Sequence, residues 1–140
     1  MKKYLLSLLL ACLIYSAYSQ KLVDGLYIFE NKTKRISIYK NPELISVALL
    51  DKKSLTQQNG LAILKPIPEN IGSKAGISYV FKSDSCFYEF DFSKTTLNLY
   101  ATQCKNNFQD SRMIFTKKSF MTLVKLNEFI EQQKKKLKTK

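Results

Sequence analysis

The amino-acid sequence predicts a single α+β domain that is mainly β. We expect an antiparallel sheet or small barrel of about six to eight short strands, with one C-terminal helix packed on it. Two observations lead to this fold class. Tyr and Phe together contribute 17 of the 140 residues, and aromatic residues favour strands. Short segments in which apolar and polar residues alternate recur between turn-forming residues, and a helical period follows only near the C-terminus.

Residues 1–19 have the three parts of a secretory signal peptide. Two lysines precede an apolar run over Tyr4–Tyr15, and small residues stand at the third and first positions before Gln20. This order is typical of an exported chain that is cleaved before Gln20. The apolar run is too short for a bilayer, which needs about 20 apolar residues. We therefore expect one mature domain over residues 20–140, secreted or periplasmic, with no transmembrane segment after cleavage.

Cys12 leads to an alternative prediction of the protein's cellular location. The segment Leu9-Leu10-Ala11-Cys12 resembles a bacterial lipobox, and the resemblance implies cleavage before Cys12, lipidation of its thiol and anchoring in the cell envelope. The residues after Cys12 are apolar, whereas a lipoprotein usually continues with a polar tether. Cleavage before Gln20, with loss of Cys12, is the favoured prediction.

The two remaining cysteines, Cys86 and Cys104, bound the clearest hairpin in the chain. Apolar side chains alternate over 86–92 and again over 97–101, as in strands with one buried face. Joining the two apolar sets pairs Phe92 with Leu97, Phe90 with Leu99 and Tyr88 with Ala101. This register places Cys86 opposite Gln103. A disulfide between the cysteines therefore predicts a β-bulge after Ala101 or a strand that ends before Cys104.

The other elements are predicted in chain order. Residues 26–30 and 35–40 form a hairpin around a polar turn at 31–34. Residues 44–50 fit a strand or a short helix capped by Asn41, and Ile and Val favour the strand. Further elements are a helical turn over 54–59 ended by Gly60, an apolar run over 61–64, a long loop over 65–76 and a last strand over 112–116.

The C-terminal helix is predicted over residues 119–137. Phe120, Leu123, Val124, Asn127, Ile130 and Lys134 follow the spacing of one helical face. We expect this face to lie against the sheet. The lysine-rich tail, 134–140, is expected to be solvated.

The composition excludes the catalytic mechanisms that need histidine and leaves carboxylates, Lys, Tyr or Ser as the groups on which catalysis could rest. The chain has no histidine and three cysteines, which rules out Ser-His-Asp and Cys-His catalysis and the usual zinc sites. Glu89 and Asp91 lie on one face of a predicted strand, as a carboxylate pair for glycoside hydrolysis could, but that face is polar and expected to be solvated. We predict a protein that is not an enzyme, with no catalytic residue, cofactor or metal site.

The net charge of the chain and its Lys-rich composition limit the kinds of molecule that we expect it to bind. The formal net charge is +12, and all but two of the 23 basic residues are lysines, the exceptions being Arg35 and Arg112. Because arginine is preferred for reading phosphate and guanine, this composition argues against nucleic acid. An anionic envelope component or a protein partner is compatible with it.

Three functions agree with these patterns. The first is a small secreted or periplasmic binding or accessory protein without enzymatic activity. The second is a β-barrel carrier of a small apolar ligand. The order of strands and helix resembles calycin-like barrels, although the Gly-x-Trp signature of that family is missing because the chain has no Trp. The third, ranked last, is a secreted enzyme inhibitor.

Overall fold

The computed structural model describes residues 21–65, 77–105 and 111–138. The predicted signal peptide, Cys12 and most of the 65–76 loop lie outside these ranges. The fold is a closed antiparallel barrel in which each strand pairs with its neighbours in chain order and β8 pairs with β1. The elements are β1 (Gly25–Glu30), β2 (Lys34–Lys40), β3 (Ile45–Asp51), β4 (Gln57–Leu64), β5 (Tyr79–Lys82), β6 (Phe87–Phe92), β7 (Thr96–Thr102), β8 (Ser111–Thr122) and helix α1 (Leu123–Lys138). The predicted fold class is confirmed.

Asparagine and aspartate side chains build the turns at both ends of the first three strands. The Oδ1 atom of Asn31 accepts hydrogen bonds from the backbone N–H groups of Thr33 and Lys34 at 3.0 and 2.7 Å. Asn41 Oδ1 accepts in the same way from Glu43 and Leu44. Asn41 therefore makes a turn before β3 rather than a helix cap, and the strand interpretation of 44–50 is confirmed.

The helical turn predicted over 54–59 is wrong, because β4 begins at Gln57. The β3–β4 turn is built by Asp51, whose Oδ1 accepts from the backbone N–H groups of Ser54 and Lys53, both at 3.0 Å. These bonds and the ion pair with Lys34 at 3.0 Å hold the pKa of Asp51 far below its usual value, the Ser54 bond being the largest cause.

Gly60, predicted to end a helix, instead lies inside β4. A Cβ atom at Gly60 would lie 2.7 Å from the carbonyl oxygen of Lys82. The glycine is thus needed for the close approach of β4 to the adjacent backbone.

The hairpin of β6 and β7 has the predicted register. Phe92 pairs with Leu97, Phe90 with Leu99 and Tyr88 with Ala101. β7 ends at Thr102, and Gln103 adopts a left-handed conformation with φ of 50°. This turn of the chain brings Cys104 to Cys86, with their Cα atoms 4.1 Å apart, and the disulfide forms. The second of the two predicted solutions, a strand that ends before Cys104, is the one observed.

The last strand is longer and the helix starts later than predicted. β8 continues to Thr122 because its C-terminal half pairs with β1, from Glu30 opposite Thr116 to Gly25 opposite Thr122. Residues 119–122, assigned by periodicity to the helix, therefore complete the barrel. Thr122 Oγ1 then accepts from the N–H of Lys125 at 3.4 Å, as an N-cap residue does.

The core fills the inside of the barrel. Alternate residues of the strands point inward, which follows from the two-residue period of a strand. The buried apolar side chains are Leu22, Tyr27, Phe29, Ile36, Ile38, Val47, Leu49, Ala62, Tyr79, Phe81, Cys86, Tyr88, Phe90, Phe92, Leu97, Leu99, Ala101 and Phe115. None of them belongs to α1.

Candidate binding surface on the C-terminal helix

The barrel interior is occupied by the protein's own side chains. Tyr79 stacks on Phe90 with ring centroids 5.3 Å apart, and Phe81 stacks on Tyr88 at 4.8 Å. Several inward side chains have no surface accessible to water, neither from outside nor from an internal cavity: Phe29, Ile36, Ile38, Val47, Phe90, Leu97, Leu99 and Phe115. Eight aromatic residues of the described chain are thus core residues: Tyr27, Phe29, Tyr79, Phe81, Tyr88, Phe90, Phe92 and Phe115. Tyr39 and Tyr100 are half-exposed and lie on the outer surface.

The polar groups inside the barrel are bonded to one another. The hydroxyls of Ser83 and Tyr88 donate to Gln58 Oε1 at 2.7 and 2.8 Å. The hydroxyl of Tyr79 accepts from the N–H of Leu22, and that of Tyr27 from the N–H of Val23. In the described part of the chain, no buried side-chain nitrogen or oxygen lacks a hydrogen-bond partner.

Burial shapes the chemistry of these tyrosines. It is the largest cause that raises the pKa of both Tyr27 and Tyr88 above the usual value for a phenol. Both groups are therefore neutral hydrogen-bonding phenols at neutral pH. These polar groups have a structural role.

The two carboxylates suggested by the sequence each contact a neighbouring polar side chain. Glu89 and Asp91 lie on the outer face of β6, where Glu89 pairs with Lys65 at 2.9 Å and Asp91 accepts from Asn98 Nδ2 at 3.0 Å. Each is engaged by a neighbouring strand or loop and neither faces a cleft. The described residues contain no group of three or more cysteine or acidic side chains that could hold a metal ion.

The disulfide lies beside a shallow depression of about 280 Å³ at the end of the barrel opposite α1. Its lining includes Lys82, Phe87 and Lys105 together with the β5–β6 turn. The hydroxyl of Ser83 accepts the N–H groups of Ser85 and Cys86 at 3.1 Å and so fixes this turn. The disulfide and these two hydrogen bonds thus hold the turn that forms one wall of the depression.

Helix α1 is the element whose apolar residues the barrel does not cover. Leu123 and Leu126 in its first part are half-buried, and every later described residue is exposed. Phe129 is 48% exposed and Ile130 is 41% exposed. The helix therefore contacts β1 and β8 as predicted, but only through its beginning, and most of the face expected to lie on the sheet is open.

We call the residues Leu123, Leu126, Phe129, Ile130 and Leu137 the apolar stripe. At 3.6 residues per turn, they fall within a sector of about 120° around the helix axis. The helix carries five lysines and two glutamates, a net charge of +3. Three of the lysines lie in the last turn, where positive charge complements the helix dipole. The helix therefore combines an open apolar stripe with a positive charge.

The opposite side of α1 carries an open groove of about 500 Å³. Its lining includes Val124, Glu128, Glu131 and Lys135. The described lining consists of residues of this one helix, with charges of both signs. This side of the helix thus differs from the stripe side in carrying acidic as well as basic side chains.

A second set of exposed apolar side chains lies on β4. Leu61 and Ile63 are 65% and 62% exposed and alternate with the inward-facing Ala62. Continuing the β3–β4 register beyond Ser46 opposite Leu61 places Leu44 opposite Ile63. The β4–β5 register, continued beyond Ala62 opposite Phe81, places the exposed Lys82 opposite Leu61. This patch therefore has a lysine beside it, but it does not belong to a helix.

The sequence predicted an amphipathic helix packed on the sheet through a face that included Val124, Asn127 and Lys134. In the structure these three residues are exposed, and the half-buried residues are Leu123 and Leu126. Periodicity alone does not distinguish an apolar face that packs on the barrel from one that stays open, because both show the same spacing. The described helices include none that is long and apolar enough to cross a membrane. No protein-family model, curated protein or solved structure matches the chain. The candidate surface therefore rests on geometry and charge alone.

Proposed function

We propose that the protein is a secreted or periplasmic binding or accessory protein without enzymatic activity, and that it engages its partner through α1. The observation that carries this proposal is the contrast between a filled barrel and a helix without a single buried side chain. An amphipathic helix is stabilised mainly by packing of its apolar face. A helix whose stripe stays open is therefore suited to bind another molecule.

The disulfide supports the location. Disulfides persist in oxidising compartments and are rare in the reducing cytoplasm. The Cys86–Cys104 bond thus fits a protein that acts outside the cytoplasm, in agreement with the signal peptide predicted over 1–19.

The carrier alternative has less support than the binding module. A carrier needs an internal cavity, commonly of about 300–1,000 Å³ for a small ligand. Inward side chains with no water-accessible surface leave little room for such a ligand. No specific observation favours the inhibitor alternative.

A photo-crosslinking experiment in the exporting cell tests the proposal. A photoreactive phenylalanine analogue replaces either Phe129 in the stripe or Val124 on the opposite side, both exposed positions. We expect a cross-linked adduct, protein or lipid, from position 129 and much less from position 124. Equal labelling at the two positions, or a small apolar molecule retained in the native mass spectrum without an adduct at 129, would contradict the proposal.

A further inference from the structure

We infer that α1 is an interfacial helix that binds a membrane surface carrying anionic headgroups, with the apolar stripe inserted among the lipids. This inference names the partner of the helix and therefore rests on the proposed function. It is carried by three observations on the described residues: the shape of the stripe, the placement of charges around it, and the freedom of the helix to lie flat.

The stripe has the dimensions of an interfacial helix. The 16 residues of α1 span about 24 Å at 1.5 Å per residue. Leu123 and Leu126 are half-buried at the barrel, so the open part of the stripe runs from Phe129 to Leu137, about 12 Å along the axis. A helix with an apolar side, a charged side and too little total hydrophobicity to span a bilayer lies in the plane of the interface. Phe129 and Ile130, at the middle of the helix, are the side chains that would enter deepest.

Two lysines are the charged residues nearest the stripe. Lys134 and Lys136 border it on its two sides, about 70° and 90° from its centre, whereas Glu128 lies about 170° away. Glu131 lies about 130° from the centre. Long lysine side chains in such positions can bury their carbon chains and keep their ammonium groups at the headgroup level. Glu131 forms an exposed ion pair with Lys134 at 3.5 Å, and Lys135 lies on the far side of the helix near Glu128.

The same charges argue against a second copy as the occupant. Two α1 helices packed through their stripes would bring together net charges of +3 each, with lysines at both borders. A like-charged pairing of this kind is unfavourable. An anionic lipid surface would attract the lysines at both borders of the stripe, and each lysine near such a surface strengthens binding.

The barrel leaves the helix free to use this face. Only Leu123 and Leu126 are half-buried, so that the rest of the stripe can enter a membrane without breaking core contacts. The barrel would then sit at the membrane surface on the end from which α1 leaves.

Vesicle flotation tests the inference with the processed protein recovered from the exporting cell, after its mass has established the N-terminus and excluded lipid on Cys12. The probes are vesicles of phosphatidylcholine alone and vesicles with one quarter phosphatidylglycerol. We expect binding to the second kind and its loss at high salt, because salt screens the attraction. Phe129→Gln with Ile130→Gln should weaken binding about 10- to 100-fold. Lys134→Gln with Lys136→Gln should weaken it about 20- to 30-fold.

Matched controls make the result specific. Val124→Gln removes an exposed apolar side chain on the other side of α1 and should change binding by less than about twofold. Lys53→Gln with Lys94→Gln removes two exposed charges from barrel turns and should weaken binding far less than the helix pair does.

The outcomes separate this inference from the proposed function. Equal loss in Val124→Gln and in the stripe variant would overturn the inference, as would binding that ignores lipid charge. If position 129 cross-links to a protein and vesicles are not bound, the proposed function stands and the membrane inference falls. The same holds if sedimentation equilibrium shows that the stripe variant abolishes a dimer. If neither vesicles nor any cross-linked partner is found, both are wrong.

Discussion

Reduction of the Cys86–Cys104 disulfide is expected to weaken the barrel without unfolding it. The bond joins residues 18 apart in the sequence. In the chain-entropy description, a cross-link over a loop of this length reduces the entropy of the unfolded chain and stabilises the fold by about 3 kcal/mol. Domains of this size are typically stable by about 5–15 kcal/mol. The reduced protein should therefore remain folded, because the six residue pairs of the β6–β7 register persist without the bond.

Urea unfolding with and without reductant measures this contribution. Tyrosine fluorescence is a suitable signal because the chain has 8 tyrosines and no tryptophan. With a denaturant slope of about 2 kcal/mol per molar urea, the midpoint should fall by about 1.5 M on reduction. Comparing the oxidised and reduced forms of one chain keeps both sulfur atoms in place, so that the shift reports the cross-link alone. The Cys86→Ala, Cys104→Ala double variant is the control and should not respond to reductant. A midpoint that moves by less than about 0.5 M would refute the reasoning.

Three further perturbations test particular parts of the barrel. Gly60→Ala should lower the free energy of unfolding by about 1–3 kcal/mol, because the Cβ atom of the alanine would lie 2.7 Å from the Lys82 carbonyl oxygen. An unchanged melting temperature would contradict this and would show that β4 and β5 move apart at little cost. The pKa of Asp51 is lowered in the folded state, so the ionised carboxylate stabilises the fold above its usual pKa near 4, and this stabilisation is lost as the pH falls below that value. Asp51→Asn should therefore reduce the fall of the melting temperature at acid pH. A melting-temperature profile parallel to that of the unmodified protein would contradict this. Burial raises the pKa of Tyr27 and Tyr88, so the free energy of unfolding should decline as the pH rises above about 10. In an ultraviolet titration these two phenols should ionise at higher pH than the exposed tyrosines. Simultaneous ionisation of all tyrosines would be inconsistent with their burial.

Local alternation was enough to predict the β6–β7 hairpin down to its register. Phe90 and Leu99 must both face the core, and a slip by one residue would turn an entire strand around. The conflict between this register and the cysteine spacing was also visible in the sequence. The structure resolves it at Gln103, whose left-handed backbone ends the strand.

The errors arose where a local pattern competes with pairing at long range. Residues 119–122 fit a helical face, but β1 is available to pair with them, and closing the barrel extends β8 to Thr122. The local sequence around Gly60 predicts the end of a helix, whereas the pairing of β4 with β5 is what explains the glycine. Neither partner can be identified from the local segment, because strand pairing joins residues distant in sequence. For the same reason the sequence showed that the C-terminal helix is amphipathic, but not which of its residues would contact the barrel or that the apolar stripe would stay open.

Hydrogen exchange followed by mass spectrometry, with and without envelope vesicles from the cell that exports the protein, tests the central claim most directly. The claim is that α1, and not the barrel interior, is the binding surface. The account predicts slower exchange over residues 123–138 when vesicles are added and unchanged exchange in the barrel strands. Exchange that stays the same in the helix and slows in the barrel would contradict it.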